Sequence, residues 1–488
     1  MRLAHFAAAF AFCALVATAS VAAPTQKPNI VFILADDFSM NLIGKAVLHQ
    51  SMPHVEAMAE NGVTFSHYYV TDSLCCPSRS SIFTGKLPHD TGVFTNTGND
   101  GGFGAFVKNG NTAGTFAVAL QNAGYKTAMM GKYLNGYEPT KDKPPQGWDE
   151  WDVAGNGYPQ FNYDLNENGK VVHFGKDPTD YLTDVVSGLG QSFIKANVTG
   201  PFFLEIATFA PHAPYIPAPR NANDFQGLTI DRASPYGARP DATAPEWLQQ
   251  IKPLRKRAMA RMDNAFRMRV QADEAIDKMI GDIEALLKEQ HLDQNTYIVF
   301  SGDNGYHMGE YSLGPGKMTP FDTDINVPLI IVGPGVKAGA AIGAIAANID
   351  LCPTFTELGG AASAQSLKPD GHSLVALLDG TPPKSWRDEA LIEHHHPPQD
   401  PNDPDVQEGP SGNPPSYEAI RMSDALYVEY GAPENDAAYY DLKSDPLELK
   451  NVVKSLPPKL AAKLHDVLKA NSDCKGAGAC WLAQSTAP

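Results

Sequence analysis

Positive charge is in short supply: 38 Lys and Arg stand against 55 Asp and Glu, leaving a net charge of −17 over 488 residues. A field of that sign repels polyanions, which argues against nucleic acid as a partner unless a local basic pocket overrides it. Long apolar runs are also scarce. The one at the N-terminus, Phe6 to Val21, spans about 16 residues, short of a membrane span. Arg2 precedes it, Ser20-Val21-Ala22 fits a cleavage site before Ala23, and no basic stop-transfer flank follows. Residues 1–22 therefore read as a signal peptide, and the mature chain is expected in the periplasm or secreted, without a membrane anchor. Cysteines number six. Cys13 leaves with the signal, Cys474 and Cys480 are close enough to close a small disulfide loop in an oxidising compartment, and Cys352 is expected as a buried free thiol. There is no internal repeat and no heptad run. What is plentiful is apolar composition, 43%, enough for a large core.

The apolar segments are short continuous runs that end in polar residues. Asn29 to Ala35 suits a strand covered on both faces and ends in Asp36-Asp37. Lys126 to Met130 runs into Gly131-Lys132, Phe202 to Ala207 opens into Ala210-Pro211-His212-Ala213-Pro214, and Thr296 to Phe300 ends in Ser301-Gly302-Asp303-Asn304. Val327 to Val332 is a further buried strand, following Lys317 in a glycine-rich loop. In an α/β sheet, strand ends of this kind face the ligand. Read alone, Asp36-Asp37 also fits a helix cap, and Lys132 a solvated surface lysine.

Helices are expected over Met52 to Asn61, Thr115 to Ala123 and Leu254 to Glu289, the last with Ile276, Ile280, Ile283 and Leu287 as core, and another opens at Asp350 to Thr354. Thr64 to Val70 reads as a short strand. Gly92 to Gly114 reads as a long surface loop near the mouth of the site, Glu138 to Tyr181 as substrate-facing loops rather than core, and Pro217 to Pro253 as an irregular excursion. After a composition shift at Lys368 to Arg387 come four short segments: Ala390 to Glu393, Tyr417 to Arg421, Ala425 to Tyr430 and Ala438 to Leu442. They read as a small antiparallel sheet, interrupted by the polar loop Pro397 to Pro415 and closed by a helix over Lys459 to Ala470.

Reactive chemistry concentrates at Cys75-Cys76-Pro77-Ser78-Arg79. Pro77 suits the first turn of a helix that Ser80 to Phe83 continue, so Cys75 lies where free N–H groups and the helix dipole favour negative charge. With Arg79 one turn away, its thiol is expected to be acidified. The pair by itself also fits two structural thiols. Asp36, Asp37, Asp303 and Asn304 are oxygen donors at the ends of two strands, a set that suits a hard cation, calcium best, because calcium takes many oxygens in loose geometry. His394-His395-His396 makes a poor zinc tract, since consecutive side chains point in different directions.

Together these motifs resemble the type I sulfatases, in which the first cysteine of a CxPSR signature is oxidised to formylglycine. The resemblance extends to Thr84-Gly85-Lys86, the Asp36-Asp37 and Asp303-Asn304 pairs, and Tyr440-Asp441-Leu442 with Asp445-Pro446 and Glu448-Leu449, covering Asn29 to Asn451. It implies an alkaline-phosphatase-like α/β sandwich: a large, mostly parallel sheet between helices, with a smaller C-terminal antiparallel sheet and helix. The implied division is a catalytic domain over 23–375 and a subdomain over 376–488. It further implies that Cys75, not Cys76, is modified by a formylglycine-generating maturation enzyme, and that the modified Cys75 joins Asp36, Asp37, Asp303 and Asn304 around one calcium ion. Arg79 would hold the hydrated aldehyde, Lys132 and Lys317 would clamp sulfate oxygens, and His212 would protonate the leaving alcohol. Charge developing on a sulfate ester needs such cationic donors and an acid near neutral pKa, in a locally basic site.

Gly131-Lys132-Tyr133-Leu134 lacks the histidine of the GKWH motif that many arylsulfatases carry. Gly131 to Asn135 and Asp303 to Leu313 instead resemble the glucosamine 6-O-sulfatase branch, in which Asp322 stands where glutamate is usual. His307 is open between a role at the site and a structural one. The activity implied is hydrolysis of a sulfate ester of a sugar such as N-acetylglucosamine 6-sulfate, or of an aryl sulfate. One rival is a phosphonate or phosphodiester hydrolase with the same nucleophile. The other, a non-catalytic calcium-dependent glycan-binding protein, predicts gaps among the nucleophile, metal and lysine positions, and the sequence has none.

Overall fold

The computed structural model describes residues 27–39, 44–232, 235–239, 241–361, 367–398, 400, 403–407, 411–432 and 436–486. The signal-peptide reading of 1–22 lies outside them. The strands are β1 (Asn29–Ala35), β2 (Val63–Phe65), β3 (Tyr68–Tyr69), β4 (Lys126–Lys132), β5 (Glu150–Ala154), β6 (Tyr163–Glu167), β7 (Lys170–Phe174), β8 (Phe202–Ala207), β9 (Thr296–Gly302), β10 (Leu329–Val332), β11 (Ala340–Ile342), β12 (Ala346–Ala347), β13 (Glu389–His394), β14 (Tyr417–Met422), β15 (Ala425–Tyr430) and β16 (Ala437–Asp441). Ten of them form one sheet in the order β11-β2-β10-β9-β1-β8-β4-β5-β6-β7. Its middle, β9-β1-β8-β4-β5, is parallel throughout.

β1 shows why the apolar runs belong there. Ile30, Phe32 and Leu34 pack into one core with Phe83, Phe116 and Phe355, while Val31, Ile33 and Ala35 pack into the other with Val186, Ile276 and Ile280. Both faces are covered by helices, so alternation disappears and every position from Ile30 to Ala35 is apolar. Burial of each large side chain contributes roughly 1.5–3 kcal/mol. Helices Cys75–Thr84, Phe116–Asn122 and Leu351–Leu358 lie on the first face; Pro53–Asn61, Leu182–Ala196 and Lys256–Glu289 lie on the second. The α/β sandwich is the one expected, and the four-stranded antiparallel sheet β13-β14-β15-β16 follows with the helix Pro458–Ser472. Cys474 and Cys480 form a disulfide, and Cys352 is a buried free thiol.

Three sequence expectations need correction. Thr64 to Val70 is two strands, β2 in the large sheet and β3 paired with β12. Glu138 to Tyr181 is not merely loop, because β5, β6 and β7 extend the sheet through it and bury Trp151, Tyr163 and Leu165. These strands hide because the sheet edge is covered partially, leaving Val171 exposed and the apolar pattern weak. Gly92 to Gly114 contains the helix Gly102–Lys108 and buries Asn96 and Phe106. Among the described residues, no helix is long and apolar enough to cross a membrane.

Candidate active site

The carboxyl ends of β1, β4, β8 and β9 deliver Asp36-Asp37, Lys132, His212 and Asp303-Asn304 to one point, against the start of the helix Cys75–Thr84. Local geometry explains the delivery. Gly131 has φ +92°, and a Cβ there would stand 2.0 Å from the carbonyl oxygen of Ala207, so β4 stays close to β8 until Lys132 leaves it. Asp37 adopts φ 58°, a left-handed conformation that aspartate tolerates. The helix of Cys75 ends at Gly85, which is left-handed and donates its N–H to Ser81.

Cys75 Sγ is fully buried, 2.9 Å from Lys317 Nζ, 3.3 Å from Asp36 Oδ1, 3.5 Å from Asp405 Oδ2 and 3.9 Å from Asp37 Oδ1. Arg79 donates from Nε to Asp303 Oδ2 at 2.8 Å and from Nη1 to the Lys132 carbonyl at 2.8 Å. Lys132 Nζ meets Asp36 Oδ2 at 2.6 Å and lies 5.0 Å from the Tyr158 ring centre. Lys317 Nζ meets Asp37 Oδ1 at 2.6 Å and Asp405 Oδ1 at 2.8 Å. His212 places Nδ1 2.7 Å from the Ala213 carbonyl and Nε2 2.7 Å from Asp405 Oδ1. Both ring nitrogens face acceptors, and Nε2 is directed into the site.

Electrostatics departs from the sequence expectation at Cys75. Burial first, then Asp36 and Asp405, push its thiol well above the ordinary value, so the unmodified cysteine is not acidified. Burial raises Asp36 to about 6, opposed by Lys132. Desolvation would lower His212, but Asp37, Asp405 and Asp36 outweigh it and raise the histidine. Desolvation would raise Asp303 and Asp405; Arg79, Lys132 and Lys317 hold the first, and Lys317 and His212 the second, below the usual carboxylate range. The expected basic pocket is instead close to balanced, with Asp36, Asp37, Asp303 and Asp405 facing Arg79, Lys132, His212 and Lys317.

Asp405 and Asn96 are the residues that sequence reasoning missed. Asp405 comes from the polar loop after β13, 330 positions from Cys75, and Asn96 from the stretch read as surface. Asn96 accepts from the Cys76 N–H at 3.0 Å and donates to Asp405 Oδ2 at 2.6 Å. No periodicity or motif marks either. Arg269, buried in the helix Lys256–Glu289, donates to the Asp37 carbonyl and lies 4.5 Å from the Tyr306 ring centre. His307 bonds Asp324 and the Ser411 carbonyl, bracing the loop that carries Lys317, and Asp322 is paired with Arg421 at 2.8 Å. The three consecutive histidines diverge: His394 is buried, His395 stacks on Phe94, and His396 bonds the Pro414 carbonyl.

The residues fit a hard cation. Carboxylate oxygens of Asp36 and Asp37 lie within 4.8 Å of each other, with the Cys75 and His212 side chains at the same point. Asp37 Oδ2 and Asn304 Oδ1 are buried without a hydrogen-bond partner, as atoms awaiting a cation would be. Asn304 Nδ2 already touches Asp37 Oδ1 at 2.7 Å. Asp303 is placed differently: its Oδ1 accepts from the N–H groups of Asp37 and Asn304, and its Oδ2 from Arg79. Ionised, it retains lone pairs for a further contact.

A buried cysteine set among lysines, an arginine, a histidine and carboxylates suits a hydrolase of anionic esters. The chain belongs to the sulfatase family: the Sulfatase family model matches residues 28–361, and the model "N-sulphoglucosamine sulphohydrolase, C-terminal" matches residues 309–473. Human N-acetylglucosamine-6-sulfatase is 34% identical over 483 residues, covering 93% of this chain and 86% of that protein. The N-acetylglucosamine-6-O-sulfatase of Bacteroides thetaiotaomicron is 26% identical over 498 residues, covering 88% of this chain and 83% of that protein. A solved structure in complex with its substrate, D-glucosamine-2-N,6-O-disulfate, superposes with a TM-score of 0.69 at 23% identity, covering 91% of this chain and 97% of that one.

Proposed function

We propose that this chain hydrolyses the 6-O-sulfate ester of a glucosamine-type sugar, using a formylglycine made from Cys75 and one calcium ion. The observation that carries the reading is the meeting of Asp36, Lys317 and Asp405 on Cys75 Sγ, with Lys132, Arg79 and His212 around them. The names of the relatives support the sugar and the position of the sulfate. Oxidised and hydrated, residue 75 would supply a geminal diol, one hydroxyl to attack sulfur and the other to expel sulfate as the aldehyde re-forms. Calcium, held by Asp36, Asp37, Asn304, residue 75 and, with a further lone pair, Asp303, would supply charge for orienting the sulfate.

The remaining tasks fall to side chains. Arg79 holds the nucleophile end of the site, and Lys132 and Lys317 neutralise sulfate oxygens. His212 gives its Nε2 proton to the sugar oxygen as the S–O bond breaks. Substrate sulfate competes with the Asp405 carboxylate for the donors of Lys317 and His212. A formylglycine-generating enzyme is the required maturation partner, a periplasmic or secreted location suits the N-terminal segment, and the catalytic unit ends near residue 375.

The test is turnover of N-acetylglucosamine 6-sulfate, an aryl sulfate and an aryl phosphonate by protein matured in a competent host. Release of inorganic sulfate, with the phosphonate far slower, is expected. A phosphonate turned over faster than either sulfate sinks the reading in favour of the phosphonate hydrolase.

A further inference from the structure

A cavity of about 680 Å³ adjoins the site. Tyr158 forms the shared wall: its ring centre lies 4.5 Å from that of His212 and 5.0 Å from Lys132 Nζ, and it lines the cavity. Asp403 forms another, two residues before Asp405 and 3.3 Å from Asn96 Nδ2. The charged side chains lining the cavity are Glu138, Asp164, Asp400 and Asp403, and among the described residues no Lys, Arg or His lines it. Lys141 pairs with Glu138 and His173 with Asp164, both in exposed contacts that screen the charge only partially. The cavity also holds an orphaned acceptor. Asn135 is 8% exposed, its Nδ2 donates to Tyr158, and its Oδ1 has no partner.

Carboxylates together with the orphaned Asn135 oxygen suit a ligand that brings donors. We propose that this cavity is the subsite for the aminosugar ring and its neighbour, and that it selects hydroxyl, amide or ammonium substituents while disfavouring a second anion such as an N-sulfate. The inference rests on the sulfatase reading and names the substrate class of that site. Its physical basis is the asymmetry between the two chambers. Arg79, Lys132, Lys317 and His212 offset the carboxylates around the position of the scissile sulfate, whereas among the described residues no cation lines the adjoining space, so a second anion is disfavoured there. Buried acceptors also penalise a ligand that leaves them unpaired.

The test compares kcat/KM of the matured, full-length protein for the 6-sulfates of N-acetylglucosamine, glucosamine and N-sulfoglucosamine, at low and raised salt. The N-sulfo substrate is expected to lag by about tenfold or more at low salt, the gap narrowing with salt and in the Glu138→Gln/Asp164→Asn double variant. Glu138 is exposed and Asp164 half-buried with its carboxylate reaching solvent, so the fold tolerates the change. Equal or faster turnover of the N-sulfo substrate, or an unchanged gap in the double variant, overturns the subsite while leaving the sulfatase reading standing. Turnover of an aryl sulfate with none of the three sugars overturns the sugar reading itself, and the subsite with it.

Discussion

Asp405 Oδ1 lies 2.7 Å from His212 Nε2, the nitrogen that faces the reactive centre. The other ring nitrogen is held by the Ala213 carbonyl, so Asp405 does not orient the histidine from behind. It stands in front of it, with Lys317 and Asn96 as its other partners, where an anionic substrate group would stand. A carboxylate clamped in this way competes with sulfate for the same donors.

Replacing Asp405 by asparagine should therefore tighten inhibition by inorganic sulfate by about tenfold and lower KM, with kcat largely retained. Inhibition constants of the matured variant check this. Weaker sulfate binding with a fall in kcat would show instead that Asp405 serves the reaction.

His212→Ala should reduce kcat roughly 10²–10⁴-fold on sugar sulfates. The loss should shrink for an aryl sulfate, whose leaving group needs little protonation. A uniform loss across leaving groups would place the proton donor elsewhere.

Cys75→Ala should abolish turnover with the thermal unfolding profile intact, whereas Cys76→Ala should cost roughly 1 kcal/mol of stability and keep activity. Cys76 is a fully buried core thiol whose backbone N–H, untouched by the substitution, carries the bond to Asn96. Full activity in the Cys75 variant would remove the proposed nucleophile.

Glu205 on β8 is buried with neither carboxyl oxygen partnered, and burial pushes it up to about 8 from an ordinary 4.5. Between those values the folded chain holds a proton that the unfolded chain has released, so stability falls as pH rises through that window. Glu205→Gln should flatten the fall and raise Tm most at the alkaline end. Parallel Tm profiles for the two proteins would contradict it.

The large sheet was legible because its central strands are covered twice: Asn29 to Ala35 and Thr296 to Phe300 have no alternative use for such apolar runs. The polar residues just beyond them, Asp36-Asp37 and Asp303-Asn304, were legible for the same reason, since a strand end fixes where its next side chain goes. Asp405 was not. It reaches Cys75 through a loop without periodicity, and nothing local dictates where such a loop lies. Asn96 was hidden by glycine-rich company that reads as solvent-exposed, although its backbone folds inward to bond Cys76. The acidity of Cys75 was misjudged because a helix N-terminus and a nearby arginine are visible in sequence, whereas desolvation and the carboxylate of Asp405 are not.

Peptide mass spectrometry across Cys75, on reduced and alkylated protein from a host with the maturation machinery, tests the central claim most directly. The account predicts an aldehyde at Cys75 and an alkylated thiol at Cys76. Two alkylated thiols in a sample that hydrolyses sulfate esters would contradict it.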